Sequence, residues 1–208
     1  MTALSITRRL IPSELVCVIL LAFAPSAFAE PEDYVIDPAH FSVGFLVDHI
    51  GYAKTLGLFR KAEGSYTFDE ESGTLSAVKV TIATDSVFTN DKKRDDHLRS
   101  ADFLNSTEFP KMTFTADSAQ RNGERDFVIE GQLTLLGKSL PLTLTATWNK
   151  SDTYPFNPGG LFGGNPYVMG VSARGSFKRS AYDMNYAVDN GWVGDDVELI
   201  LEFEAQRQ

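Results

Sequence analysis

Between Phe41 and Ala205 the chain alternates apolar and polar residues with a period of two in eight separate segments. This is the mark of strands with one buried face. "FSVGFLV" puts Phe41, Val43, Phe45 and Val47 on one side, and "KAEGSYTFD" puts Ala62, Gly64, Tyr66 and Phe68 there. "SAVKVTIAT" gives Val78, Val80 and Ile82, and "KMTFTA" gives Met112, Phe114 and Ala116. "DFVIEGQLTL" offers Phe127, Ile129, Leu133 and Leu135 against Asp126, Glu130, Gln132 and Thr134. "LPLTLTATW" offers Leu140 to Trp148 on the even positions against three threonines. "YVMGVSARGSF" and "VELILEFEA" complete the set, the second with Glu198, Glu202 and Glu204 on its polar side. Strands with one wet face pair antiparallel, because parallel sheets bury both faces. Gly137-Lys138 predicts a two-residue type II′ hairpin turn, and "ESGTL" and "RNGER" place glycine turns between strands. Eight such strands predict an all-β, antiparallel barrel in preference to a two-sheet sandwich.

Two stretches break the alternation. "DKKRDDHLRSADFL", residues 91–104, carries four acids, four bases and one of the three histidines. It predicts a short helix that closes one end of the barrel. Thr89 or Asn90 serves as N-cap, Asp91 lies in the first turn, and the pairs Lys92–Asp96 and Asp95–Arg99 sit four apart. Phe103 and Leu104 supply its apolar plug. Residues 149–166, "NKSDTYPFNPGGLFGGNP", hold four glycines and three prolines and predict a long irregular loop.

The N-terminus belongs to another category. Arg8 and Arg9 precede a short apolar run from Leu15 to Phe23, and "APSAFAE" has Ala27 and Ala29 at the small-residue positions of a cleavage site. Residues 1–29 therefore read as a secretory signal peptide, and residues 30–208 as one barrel domain. The single cysteine, Cys17, falls inside the signal, so the remaining chain has no disulfide or thiolate chemistry. Loss of Arg8, Arg9 and Glu14 takes the formal charge from −9 to −10. That balance opposes phosphate-tracking contact with nucleic acid.

Candidate chemistry is sparse. His40 and His49 are nine apart near the ends of one strand, and His97 lies in the helical segment, which does not make a zinc pattern. No G-x-S-x-G elbow is present, and "GQLTLLGKS" lacks the spacing of a phosphate-binding loop. The pairs Asp95-Asp96 and Asp195-Asp196 read as turn and surface residues. No catalytic residue, metal ligand or cofactor is assigned. What remains is the interior. Phe41, Phe45, Tyr66, Phe68, Phe114, Phe127, Trp148, Tyr167, Phe177 and Phe203 all fall on the inward faces. They either fill a core or line an elongated apolar pocket, and periodicity does not separate the two.

Four stretches carry a resemblance. "YVIDPAHFSVGFLVDHIGYAKTLGLF", "TNDKKRDDHLRSADFLNSTEFPKMTFTA", "LTLLGKSLPLTL" and "DDVELILEFEA" resemble the opening, central motif, hairpin and last strand of the YceI-like family. The resemblance runs from about Asp33 to Ala205. It implies a lipocalin-like barrel closed by a helix, a polyisoprenoid or other amphiphilic lipid inside, and a periplasmic location. It also implies a link to isoprenoid quinone biology or to alkaline and osmotic stress. The chain departs from the family in "FKRSAYDMNY", where Ala181 replaces an acidic residue and Asp183 stands where glycine is common.

The expectation is a non-enzymatic periplasmic carrier. The ten inward aromatics together with Phe103 line its lipid cavity, and a polyisoprenoid or quinone-like lipid is its partner. Transient contact with a membrane or membrane protein and a homodimer are left open. Two alternatives stand beside it: a structural or stress protein with a filled core, and an enzyme acting on a lipid or quinone head group. The enzyme would need His40 or His49 pointing into the barrel.

Overall fold

The computed structural model describes residues 30–156 and 164–208. The expected signal peptide lies outside the described residues, as do residues 157–163 of the glycine-rich stretch. The strands in chain order are β1 (Glu32–His49), β2 (Ala53–Phe59), β3 (Ala62–Asp69), β4 (Thr74–Ala83), β5 (Val87–Phe88), β6 (Lys111–Ala116), β7 (Gln120–Arg121), β8 (Asp126–Leu135), β9 (Lys138–Thr153), β10 (Tyr167–Lys178) and β11 (Val193–Arg207). One α-helix, α1 (Lys92–Arg99), joins them among the described residues. All pairings are antiparallel, and β11 returns to β1 to close an eight-stranded barrel.

The alternating segments are the barrel walls, with one wall made of two pieces. The first part of β1 pairs with β3, from Glu32 opposite Phe68 to Val35 opposite Ser65. The second part pairs with β2, from Val43 opposite Phe59 to His49 opposite Ala53. β2 escaped the periodicity because its polarity is inverted: Leu56 and Leu58 face out while Gly57 faces in. The inward glycine has a steric cause. A Cβ at Gly57 would lie 2.0 Å from Cζ of Phe45, whose ring occupies the space of the missing side chain.

β1 changes phase midway. Ile36 pairs with Ala205 and Phe41 with Phe203, so residues 37–40 bulge out of the ladder. Asp37 ties the bulge by accepting the Ala39 amide at 2.9 Å and pairing with Nδ1 of His40 at 2.8 Å. Tyr34 and Ile36 thereby share the inner face with Phe41, Val43 and Phe45 despite the odd spacing. His40 keeps the local role expected of it, and β1 ends at His49 as expected.

Several local expectations shift. Leu135 pairs with Lys138, so the hairpin loop is Leu136-Gly137. Both residues have positive φ, 51° and 75°, which makes the turn type I′ and not II′. β9 and β10 continue their ladder to Thr153 opposite Tyr167, so the irregular stretch starts later than residue 149. The N-cap of α1 is Asp91, whose carboxylate accepts the Arg94 amide, and the helix stops at Arg99. Lys92 and Asp96 pair at 2.6 Å, as the spacing requires. Asp95 does not pair with Arg99 and is not a surface residue. It is buried and accepts from both the amide and hydroxyl of Thr89, at 2.7 and 2.6 Å, while Arg99 takes Asp96.

The segment between β10 and β11 is held by a buried cation. Arg179 donates to the carbonyls of Met184 at 2.7 Å, Gly194 at 2.7 Å and Val193 at 2.8 Å, and stands over the ring of Phe103. Asp195, expected on the surface, accepts from the Ser180 amide and hydroxyl beside it, both at 2.9 Å. Asp183 adopts the left-handed conformation at φ 63°, ψ 14° and pairs with Lys138 at 2.5 Å. The position where glycine is common in the family is thus one where glycine's backbone freedom is used, and aspartate tolerates it.

Two substitutions test this anchoring. Arg179→Met should cost about 3 kcal/mol, because it strands buried carbonyls as well as removing bonds. Asp183→Gly should stay within about 1 kcal/mol of wild type, since relief of the left-handed backbone offsets an exposed ion pair. Urea denaturation monitored by circular dichroism measures both.

Candidate functional site

The barrel interior holds two chambers, one above the other. The upper chamber has a volume of about 630 Å³ and opens between the β1–β2 hairpin, α1 and the loop after Met184. The lower measures about 90 Å³. Val80, Phe114, Leu144 and Leu201 border both, so they form a waist in one elongated interior. The upper volume lies within the range of roughly 300–1,000 Å³ usual for small-molecule pockets.

The eleven predicted side chains distribute unevenly between the levels. Phe45, Phe103 and Phe177 line the upper chamber, with Phe114 at the waist. Phe41, Tyr66, Phe68, Phe127, Trp148 and Phe203 surround the lower one. There they pack on one another: Phe68 meets Phe127 and Trp148 edge-on with centroids 5.6 and 5.7 Å apart, and Tyr34 stacks on Tyr66 at 5.2 Å. Tyr167 borders neither chamber. Its hydroxyl donates to Glu70 at 3.1 Å and its ring carries the guanidinium of Arg207.

At the floor, buried tyrosines make polar bonds. Tyr34 donates to Glu70 at 2.7 Å, and Tyr66 to the sulfur of Met169 at 3.3 Å. Burial, with the Glu70 carboxylate next to it, pushes the Tyr34 hydroxyl well above the usual phenol range. Burial does the same to Tyr66.

The upper walls are chiefly aliphatic. Val43, Ile82, Leu133, Leu142, Leu199 and Leu201 supply much of the surface, from strands β1, β4, β8, β9 and β11. Periodicity placed these residues inside but could not show which level stays empty. The level follows from size: bulky rings project inward at one end and branched aliphatics at the other. Phe114 reaches the waist because β8 offers a glycine beside it; a Cβ on Gly131 would lie 2.4 Å from its Cζ.

Polar groups gather at the mouth. Asp48, His49, Asp91, Lys93, Arg94 and His97 line the opening. His97 pairs with Asp102 at 2.8 Å and packs edge-on against Phe103 and Tyr186, with centroids 5.0 and 4.8 Å away. Phe103 and Leu104 are buried against the chamber, as the plug required. Arg179 is the one cation lining the chamber from within its wall among the described residues, and each of its three nitrogens donates to a carbonyl. Burial lowers its pKa, with the charge of Asp195 acting against that, and a guanidinium remains protonated. His40 stands outside in the β1 bulge. Among the described residues no group of three or more His, Cys, Asp or Glu is placed to hold a metal ion.

A closed antiparallel barrel with an apolar chamber reached from one end is the architecture of a lipocalin-like container. The chain belongs to the YceI-like family, whose domain model matches residues 34–205. A UPF0312 protein of Pectobacterium carotovorum is 39% identical over 194 residues, covering 93% of this chain and 95% of its own length. Protein YceI of Shigella flexneri is 39% identical over 191 residues, or 91% and 93%. Among solved structures, the Campylobacter jejuni YceI protein superposes with a TM-score of 0.66 at 26% identity, over 77% of this chain and 90% of its own. Burkholderia cenocepacia BcnA superposes at 0.70 with 20% identity, over 81% and 98%. A polyisoprenoid-binding domain from Saccharophagus degradans superposes at 0.57 with 11% identity, over 86% and 100%. The last two establish a shared fold.

The waist offers a test of access. Leu201→Trp places an indole between the chambers from β11 and should lower uptake of a fluorescent apolar probe about tenfold, or about 1.4 kcal/mol. Probe titration of the folded variant against wild type reads the effect.

Proposed function

We propose that this protein is a periplasmic carrier that holds one long-chain amphiphilic lipid, a polyisoprenoid or isoprenoid quinone, in the barrel. The observation that carries this reading is the division of polarity: the chamber walls are chiefly apolar, and the charged groups other than Arg179 stand at the mouth. A chain lying in the chamber gains about 0.8 kcal/mol per buried methylene. Its head group stays near α1 and the β1–β2 hairpin, in reach of water. Phe41, Phe45, Tyr66, Phe68, Phe103, Phe114, Phe127, Trp148, Phe177 and Phe203 are then the aromatic contacts along the path, with Tyr167 holding the floor.

Membership of the YceI-like family and the likeness to a polyisoprenoid-binding domain support a lipid occupant. The sequence of residues 1–29 supports export. The reading is one of reversible binding without bond chemistry. The inner wall presents chiefly hydrocarbon where an enzyme would present converging acids, bases or donors; His40 is turned away from the interior, and His49 lines the chamber at its mouth.

Native mass spectrometry of protein purified from its own periplasm, repeated after organic extraction, tests the proposal. The expected result is one lipid per chain, removed by extraction and restored by adding a polyprenyl or quinone lipid. Protein that is empty as isolated and refuses both lipids would overturn it.

A further inference from the structure

One stretch of the chamber mouth carries large apolar side chains that stay exposed among the described residues. Ile50 and Tyr52 form the tip of the β1–β2 hairpin, exposed to 47% and 89%. Trp192 and Tyr186 stand on the facing loop, exposed to 58% and 44%. The two tips are laced together, for the Ile50 amide donates to the Trp192 carbonyl at 3.0 Å. Ile50, Tyr186 and Trp192 also line the chamber, so the apolar rim runs without a break into the apolar interior.

Ile50 carries a second signal. Its φ is 54°, in the left-handed region, where a β-branched side chain is strained and asparagine or glycine is preferred. A half-exposed isoleucine in a strained turn contributes little to folding, so its apolar surface needs another use.

We infer that this rim is a docking surface for a zwitterionic lipid bilayer, which it enters with Ile50, Tyr52, Tyr186 and Trp192. Tryptophan and tyrosine prefer the membrane–water interface, where the ring is buried and the polar tip stays wet. The charges decide the kind of bilayer. At the mouth Asp48 and Asp91 offset Lys93 and Arg94, and the exported chain carries a formal −10. Attraction to anionic lipid therefore supplies nothing, and apolar insertion must carry the contact. Docked in this way, the mouth would pass a lipid from bilayer to chamber without exposing its chain to water. This inference rests on the carrier reading above.

Emission is read on the full exported chain with Trp148→Phe, which leaves Trp192 as the sole tryptophan, and flotation and uptake are read on the chain that keeps Trp148. Phosphatidylcholine vesicles should shift the Trp192 emission to the blue, and brominated acyl chains should quench it. Replacing half of the lipid with phosphatidylglycerol should weaken binding. In Tyr52→Ser, at a rim position that does not line the chamber, flotation with vesicles should fall about fivefold or more. Uptake of a polyprenyl lipid from vesicles should slow equally, while uptake from detergent micelles stays unchanged. If micelle uptake is normal but Trp192 ignores every vesicle, or Tyr52→Ser loads from vesicles at the wild-type rate, the docking inference is overturned and the carrier reading stands. Binding that needs phosphatidylglycerol, or that needs protease-sensitive protein in native membranes, also overturns it. If Trp192 inserts into phosphatidylcholine but no lipid enters from either source, the carrier reading fails and docking alone survives.

Discussion

Closure of the barrel through β1 and β11 is the constraint on which the rest depends. The two strands pair along most of their length, from Tyr34 opposite Arg207 to His49 opposite Val193. Without that pairing the sheet would keep two long edges and a flat apolar face. With it, every inward side chain meets others across an enclosed space, and the outer face can be polar throughout. The cost falls on β1, which must serve β11 on one side and two successive partners on the other. The bulge at residues 37–40 accommodates that double duty by letting the strand change partners without turning its apolar residues outward.

A closed barrel of eight strands does not decide by itself whether its interior is full. Here the decision is made by residue type at each level. Near the floor, rings from β1, β3, β8, β9 and β11 meet edge to face and leave about 90 Å³. Towards the mouth, valines and leucines are too short to meet across the same diameter, and about 630 Å³ stays open. The plug does not fill it either. Phe103 and Leu104 close one side of the opening, held by Asp95 beneath the helix and by Arg179 behind the ring. The filled core and the apolar pocket are both present, one below the other.

Much of this was legible in the sequence, and the failures have physical causes. Period-two alternation located a segment of each of the eight strands that close the barrel, β1, β3, β4, β6, β8, β9, β10 and β11, because each has one wet face. It missed β2, where a close ring demanded glycine inside and left leucines outside. Side-chain spacing found the Lys92–Asp96 pair but misjudged Asp95, since the helix starts one residue later and turns that carboxylate onto Thr89. The family resemblance flagged Asp183 as a departure, and only its φ of 63° shows why the loop accepts it. The aromatic interior was legible as a list but not as a position, because alternation fixes the face of a strand and not the height at which opposing side chains fail to meet.

That division of height also bears on selectivity. A site that recognises a head group needs fixed donors and acceptors directed inward, and the inner wall of this chamber offers hydrocarbon. Arg179 is the instructive case: a cation in the wall whose three nitrogens each donate to one of the protein's own carbonyls, which closes a loop. On the carrier reading, discrimination would then come from the dimensions of the interior, and the waist at Val80, Phe114, Leu144 and Leu201 is where its two levels meet. A chain that stops above the waist meets chiefly aliphatic walls, and a longer one must displace rings that already pack well. The second step gains less per methylene than the first, because each new contact replaces an existing one. On the carrier reading proposed above, such a container would grade its occupants by chain length and stiffness.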